Sequence, residues 1–227
     1  MSKIKNRSKD LAIVILIGGK SKRFGSDKGL YEYNGKPLIS YQLETLSRLD
    51  NDIFIIANSI NQVQNYINRI DVQKIVAFII DDKDINSEDN LRTPMIGLFS
   101  AFKELNKLGY KKAFALSCDT PLIKKEVVDY LISNCKFFDS CIPQWSNGFL
   151  EPLFAIYPVK KALKTAKKSI KSQSYKLSNL LNQSWEINYI TIEKYIKPLD
   201  DGLITFLNIN EKLDIEKLKR ICKEIDS

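Results

Sequence analysis

Histidine is missing altogether from the 227 residues. That absence removes the imidazole from triads, from general-base roles and from metal coordination. Carboxylates, lysines and backbone dipoles remain as catalytic material. Cysteine is scarce: Cys118, Cys135, Cys141 and Cys222 form no CxxC pair and no zinc spacing. They read as reduced, mostly buried thiols, and the setting as cytoplasmic. No apolar stretch approaches the roughly 20 residues that span a bilayer. The opening MSKIKNRSKDLAIVILIGG has a basic head and an apolar run at 11–17. Without a small-residue cleavage site, that run reads as a buried strand rather than a signal peptide or membrane segment. Internal repeats, low-complexity tracts and linkers rich in Pro, Gly or Ser are lacking too, so one domain over 1–227 is expected.

What is present is a globular composition, 44% hydrophobic and 27% charged. A chain of this length buries roughly 70% of its unfolded surface and needs neither disulfide nor structural metal to fold. The net charge of +8 favours anionic partners. The lysines are spread along the chain with no compact basic run interleaved with aromatics, so no nucleic-acid footprint is indicated.

The apolar run 11–17 has the β-branched pattern of a strand covered on both faces, and glycines break it. Pro37 then suits a first helical turn, and Leu38, Tyr41, Leu43, Leu46 and Leu49 fall near one helical face. The alternation continues with strands expected at 53–57, 74–80 and 112–117, and helices at 61–69 and 95–108. Strands alternating with helices predict a Rossmann-like, doubly wound α/β fold: a mostly parallel sheet with helices on both faces. The second half is less regular, with strands expected at 140–143, 153–157, 187–192 and 203–207, some antiparallel, and helices at 159–168 and 213–225.

The segment LIGGKSKRFGSDKGL, residues 16–30, places Gly18, Gly19, Gly25 and Gly29 directly after the first strand. Ligands of open α/β sheets bind beyond the carboxyl ends of strands, where a glycine-rich turn lets backbone N–H groups approach a phosphate. The segment is neither GxxxxGK[ST] nor GxGxxG, so the P-loop and dinucleotide modes are set aside. A glycine turn followed by Arg23 and Lys28 suits a triphosphate whose charge must be neutralised while its α-phosphorus is attacked. Asp119 stands just past another buried strand, where a carboxylate reaches a triphosphate-bound Mg²⁺ that keeps several waters. Thr120 and Pro121 also read as the N-cap and first position of a helix, which would fix the loop that aims Asp119.

Taken with SCDTPLI at 117–123, EPLFAIY at 151–157 and FLNINEKLDIEKL at 206–218, the glycine segment resembles the molybdenum cofactor guanylyltransferases. These belong to the wider glycosyltransferase-A-like nucleotidyltransferases, whose fold is that of nucleotide-diphospho-sugar transferases. The resemblance spans most of the chain. It implies a Mg²⁺-dependent transfer of GMP from GTP to the terminal phosphate of molybdopterin, with release of pyrophosphate. It implies that Leu16, Ile17, Gly18 and Gly19 line the nucleotide, that Arg23 and Lys28 clamp its phosphates, and that Asp119 binds the metal. It puts Asn58 near base and ribose, and a nucleotide-contacting aspartate at 81–82, with Asp82 the better aligned. An acidic loop explains that pair equally well.

Asn208 and Asn210 would close the site near metal and acceptor; helix capping competes for both, since they fall just before an expected helix. The seven lysines of 160–176 read as a solvated helix face, or as an attraction for an anionic pterin phosphate. The chain departs from the family where SQSYKLSNLL (172–181) replaces a Gly-Arg-rich acceptor segment and TPMIG (93–97) a glycine-richer one. Cytidylyl transfer, another phosphorylated acceptor such as a sugar phosphate or cobinamide phosphate, and a non-catalytic nucleotide-binding regulator are the competing readings. Transient contact with cofactor-biosynthesis proteins or apo-molybdoenzymes is the expected protein partnership.

Overall fold

The structure, a computed structural model, describes residues 9–18, 27–82, 85 and 93–225, with the backbone alone at 212 and 222–225. Strand β1 (Leu11–Leu16) is buried throughout. A short hairpin of β2 (Glu32–Tyr33) and β3 (Lys36–Pro37) turns at Asn34–Gly35 and delivers the chain into helix α1 (Leu38–Leu46). Then come β4 (Asp52–Ala57), α2 (Ile60–Ile67), β5 (Ile75–Ile80), α3 (Pro94–Leu108) and β6 (Lys112–Ser117). The second half supplies α4 (Lys125–Asn134), β7 (Ser140–Gln144), β8 (Phe154–Pro158), α5 (Val159–Lys171), β9 (Ile187–Thr191) and α6 (Lys212–Ile225). Most expected elements appear with ends displaced by a residue or so.

Seven of the described strands form one sheet in the order β5-β4-β1-β6-β8-β7-β9. Strands β5, β4, β1 and β6 run parallel, β8 is antiparallel to β6, and β9 is parallel to β7. Side-chain alternation splits the core into two layers. Ile13, Ile15, Ile53 and Ile55 pack with α1, α2 and α4, while Ala12, Val14, Leu16 and Phe54 pack with α3 and α5. The chain winds outward from β1 through β4 to β5 and returns to the other side of β1 at β6. The ends of β1 and β6 therefore flank the topological switch point, where open α/β sheets form their binding crevice.

Two expectations are corrected. Residues 203–207 do not form a strand: Leu203 adopts a left-handed backbone, φ 49°, and Ile204–Phe206 make one 3-10 turn. That apolar run is buried all the same, with the Phe206 ring against Trp145 and Phe154. Nor does a helix start at Thr120–Pro121; α4 begins at Lys125 after an extended Lys124.

The α5 lysines of the 160–176 run are exposed and form a solvated face, with Lys161 paired to Asp139 at 2.6 Å. Among the cysteines, Cys118, Cys135 and Cys141 are free and buried; the side chain of Cys222 lies outside the described residues. No helix of the described chain is long and apolar enough to cross a membrane.

Candidate active site

The β1 and β6 exits are neighbours. Leu16 is in register with Ser117, and the Cys118 N–H donates to Leu16 O at 3.1 Å. Asp119 follows on the loop. That loop is held by Gln42 of α1, fully buried, whose Nε2 donates to Ser117 O at 2.9 Å, to Thr120 O at 3.2 Å and to Thr120 Oγ1 at 3.3 Å. A buried amide thus does the work that helix capping was expected to do.

Lys28 opens a single 3-10 turn, Lys28–Leu30, capped by Asp27. Its ammonium donates to Asp119 Oδ2 at 3.2 Å and to Asn210 Oδ1 at 3.0 Å. Three segments far apart in sequence thereby meet at one nitrogen. Asn210 is brought there by its chain neighbour: Ile209 is fully buried and its N–H donates to Asp119 O at 2.8 Å. The Asn210 side chain does not cap α6. Asp214 Oδ2 does, accepting from the Asn210 and Glu211 N–H groups at 2.9 and 3.0 Å. Those N–H donors, with Lys217, hold the Asp214 carboxyl below the usual range. Asn208 is exposed and turns back to donate to Phe206 O at 3.3 Å.

Asp119 Oδ1 is buried and has no hydrogen-bond partner among the described residues. A buried carboxylate oxygen left open is costly and calls for a ligand. Among the described residues no group of three or more His, Cys, Asp or Glu could hold a metal by itself. Asp119 Oδ1 offers one hard oxygen ligand, which fits a divalent ion completed by phosphate oxygens and water rather than an all-protein cage. Burial and then the Asp119 charge push the Cys118 thiol up and keep it protonated. Glu151 stands behind the site, accepting from Trp145 Nε1 at 2.7 Å. Burial raises its carboxyl, Trp145 opposes the shift, and the Asp119 charge adds to it.

Next to this charged centre a cleft is lined by Leu16, Gly18, Ile56, Asn58, Asp81, Thr93, Pro94 and Gly97. Gly97 lets the start of α3 approach the strand ends: a Cβ there would stand 3.2 Å from Leu16 Cδ2 and 3.5 Å from Asp81 Oδ1. Thr93 Oγ1 is buried in the wall without a partner among the described residues.

Of the two adjacent aspartates, the cleft takes Asp81. Asp82 turns away to Lys103, 2.5 Å from its Nζ, while its N–H donates to Ser100 Oγ at 2.8 Å. Ile17 is buried, and its backbone is taken up within the protein: its N–H donates to Ile56 O at 3.0 Å and its carbonyl accepts from Gln62 Nε2 at 3.0 Å. Gly19 and Arg23 lie outside the described residues. The structure thus gathers Leu16, Gly18, Lys28, Asn58, Asp119 and Asn210, sets Ile17 beside them with its backbone already paired, and directs Asp82 and Asn208 elsewhere. Sequence reasoning placed the aspartate at 81–82 but favoured Asp82, gave Glu151 no role although it opens the EPLFAIY segment, and missed Gln42, which carries no local signal.

The family model described as the MobA-like NTP transferase domain matches residues 13–186. The probable molybdenum cofactor guanylyltransferase of Pyrococcus horikoshii is 32% identical over 209 residues, covering 90% of this chain and 97% of the relative. That of Thermococcus gammatolerans is 33% identical over 213 residues, covering 91% and 97%. Molybdopterin-guanine dinucleotide biosynthesis protein A from Archaeoglobus fulgidus superposes with a TM-score of 0.71 at 23% identity, covering 94% of this chain and 99% of that one. The 4-diphosphocytidyl-2C-methyl-D-erythritol synthase of Anaerococcus prevotii superposes at 0.67 with 12% identity, covering 94% and 96%. These last two bear on the fold alone.

Proposed function

The chain belongs to the MobA-like NTP transferase family, and from that premise we propose that it transfers GMP from GTP to the terminal phosphate of molybdopterin. The acceptor's phosphate oxygen forms a bond to the α-phosphorus, the bond from that phosphorus to the bridging oxygen breaks, and pyrophosphate leaves with the electron pair. The observation that carries this reading is the meeting of Lys28, Asp119 and Asn210 at the switch point, with one Asp119 oxygen still open.

The nucleoside occupies the cleft beside β1 that Leu16 and Gly18 line. Asn58, Asp81 and the open Thr93 hydroxyl offer polar edges there. The triphosphate extends toward Lys28, and Arg23 adds a second cation from the glycine segment. Asp119 would hold a magnesium ion, which when bound supplies charge neutralisation to the triphosphate. As the α-phosphorus is attacked, negative charge shifts to the leaving pyrophosphate, and Lys28 meets that charge without reorganising. Lys28 is held in turn by Asp119 and Asn210. An acceptor phosphate is already ionised at neutral pH, so no general base is required. That accords with a chain lacking histidine. Rate enhancement then comes from positioning and preorganised charge.

Purified protein incubated with molybdopterin, magnesium and each of the four NTPs should release pyrophosphate and form a dinucleotide with GTP alone. Equal turnover with CTP would overturn the guanylyl assignment.

A further inference from the structure

Asp27 immediately precedes Lys28, and helix α2 engages its carboxylate. Tyr66 Oη donates to Oδ1 at 2.5 Å, Gln62 Nε2 donates to Oδ2 at 2.7 Å, and the Gly29 N–H reaches Oδ1 at 3.1 Å. The same Gln62 amide donates to Ile17 O at 3.0 Å, and its Oε1 accepts the Asn58 N–H at 2.9 Å. One buried side chain therefore ties three segments together: the end of β1, the end of β4 and the exit of the glycine segment. Burying an amide is unfavourable unless its groups are paired. Here the partners all belong to the walls of the candidate site. Tyr66 is fully buried; its burial, then Cys118 and Asp27, push the phenol up and keep it a donor. It also packs on the peptide after Lys28, since a Cβ at Gly29 would lie 2.3 Å from Tyr66 Oη.

We propose that Gln62 and Tyr66 are positioning residues for nucleotidyl transfer. Through Asp27 both orient the Lys28 peptide toward the phosphates, and through Ile17 and Asn58 Gln62 also holds the nucleoside cleft in register with it. The proposal rests on the nucleotidyltransferase reading above. Neither side chain touches a reacting atom; both act through residues that do.

The test compares Tyr66→Phe and Gln62→Met with wild type in steady-state guanylyl transfer, in protection against thermal unfolding by Mg-GTP, and in the unfolding midpoint without ligand. Misplacement of a clamp by about 1 Å costs up to roughly 100-fold in rate. Each variant should therefore lose roughly 10- to 100-fold in kcat/KM for GTP, with KM for the acceptor unchanged. A merely structural role would lower the midpoint and leave the folded enzyme's constants alone.

Gly29→Ala supplies the second arm. In wild type its methyl meets Tyr66 Oη at 2.3 Å; without the hydroxyl the nearest atom of that ring is Cζ at 3.2 Å. The substitution should therefore cost less in the Tyr66→Phe background than in wild type, a non-additive cycle. Should Gln62→Met fail to fold, Tyr66→Phe and this cycle carry the test. Wild-type kcat/KM in folded Tyr66→Phe, or strict additivity with Gly29→Ala, overturns the proposal. A wild-type protein that neither transfers nor binds GTP instead overturns the reading beneath it.

Discussion

The ammonium of Lys28 stands 3.2 Å from Asp119 Oδ2, joining the exit of the glycine segment to the exit of β6 across 91 positions of sequence. Both side chains are mostly shielded, at 18% exposure each, yet the second Asp119 oxygen has no partner among the described residues. The pair is unfinished as a structural element, and a ligand would complete it.

Lys28→Ala and Asp119→Ala should each lose about 10²–10³ in turnover, the usual cost of one transition-state contact. Without ligand, Asp119→Ala should lose no more than about 1 kcal/mol of stability, because the partly exposed pair contributes little and the open oxygen disappears with it. Steady-state transfer and apo denaturation together check this. Near-normal turnover of Asp119→Ala at saturating magnesium would remove the metal role.

The two asparagines should separate. Asn210 accepts directly from Lys28, whereas Asn208 donates only to Phe206 O. A hydrogen bond to a charged group contributes about 1.5–3 kcal/mol. Asn210→Ala is therefore expected to lose tenfold or more in kcat, and Asn208→Ala only a small fraction of that. The reverse order would return Asn208 to the centre of the site.

Asp81→Asn should weaken protection by GTP in a thermal-shift titration, since that carboxylate lines the cleft. Asp82→Asn should leave the protection curve in place and alter only apo stability, through its pair with Lys103. Equal loss of GTP binding in the two variants would contradict the assignment.

Two carboxylates give opposite pH signatures. Asp214 has a lowered folded pKa, so its contribution is present above its unfolded value of about 3.9 and is lost as pH falls through the folded one. Asp214→Asn should flatten the acid limb of the stability curve. Glu151 has a raised folded pKa, so its ionised form costs stability above its unfolded value of about 4.3. Glu151→Gln should raise the apo midpoint at pH 7, with the gain vanishing toward pH 4. Denaturant titrations across pH, in chelator, would show either sign to be wrong.

The legible parts of the sequence were those where one interaction dominates. The run 11–17 was legible because seven consecutive apolar residues, several of them β-branched and followed at once by glycines, suit a short strand covered on both faces, and β1 fills Leu11–Leu16 of it. The glycine segment after it and Asp119 after β6 were legible because chemistry-bearing residues followed directly on such strands. Helix α4 was read only by its start, and that was placed four residues too early by the Thr120–Pro121 signal, although its apolar positions Val127, Val128 and Leu131 are spaced for a helix. Residues 203–207 misled for the opposite reason. An apolar run reports burial, and a packed turn buries Phe206 as well as a strand would.

By itself, then, the sequence determined a doubly wound α/β chain with a phosphate-seeking glycine segment and a carboxylate at the end of a neighbouring strand, since periodicity and short-range motifs encode both. Only the tertiary structure decided which partner each group takes. Adjacent residues at a strand end point to opposite sides, so register against α3 separated Asp81 from Asp82. Asn210 reaches Lys28 across 182 positions only because Ile209 is anchored on the Asp119 loop. The tie among Gln62, Tyr66 and Asp27 likewise exists only once α2 is laid on the sheet, a packing outcome that no local pattern specifies.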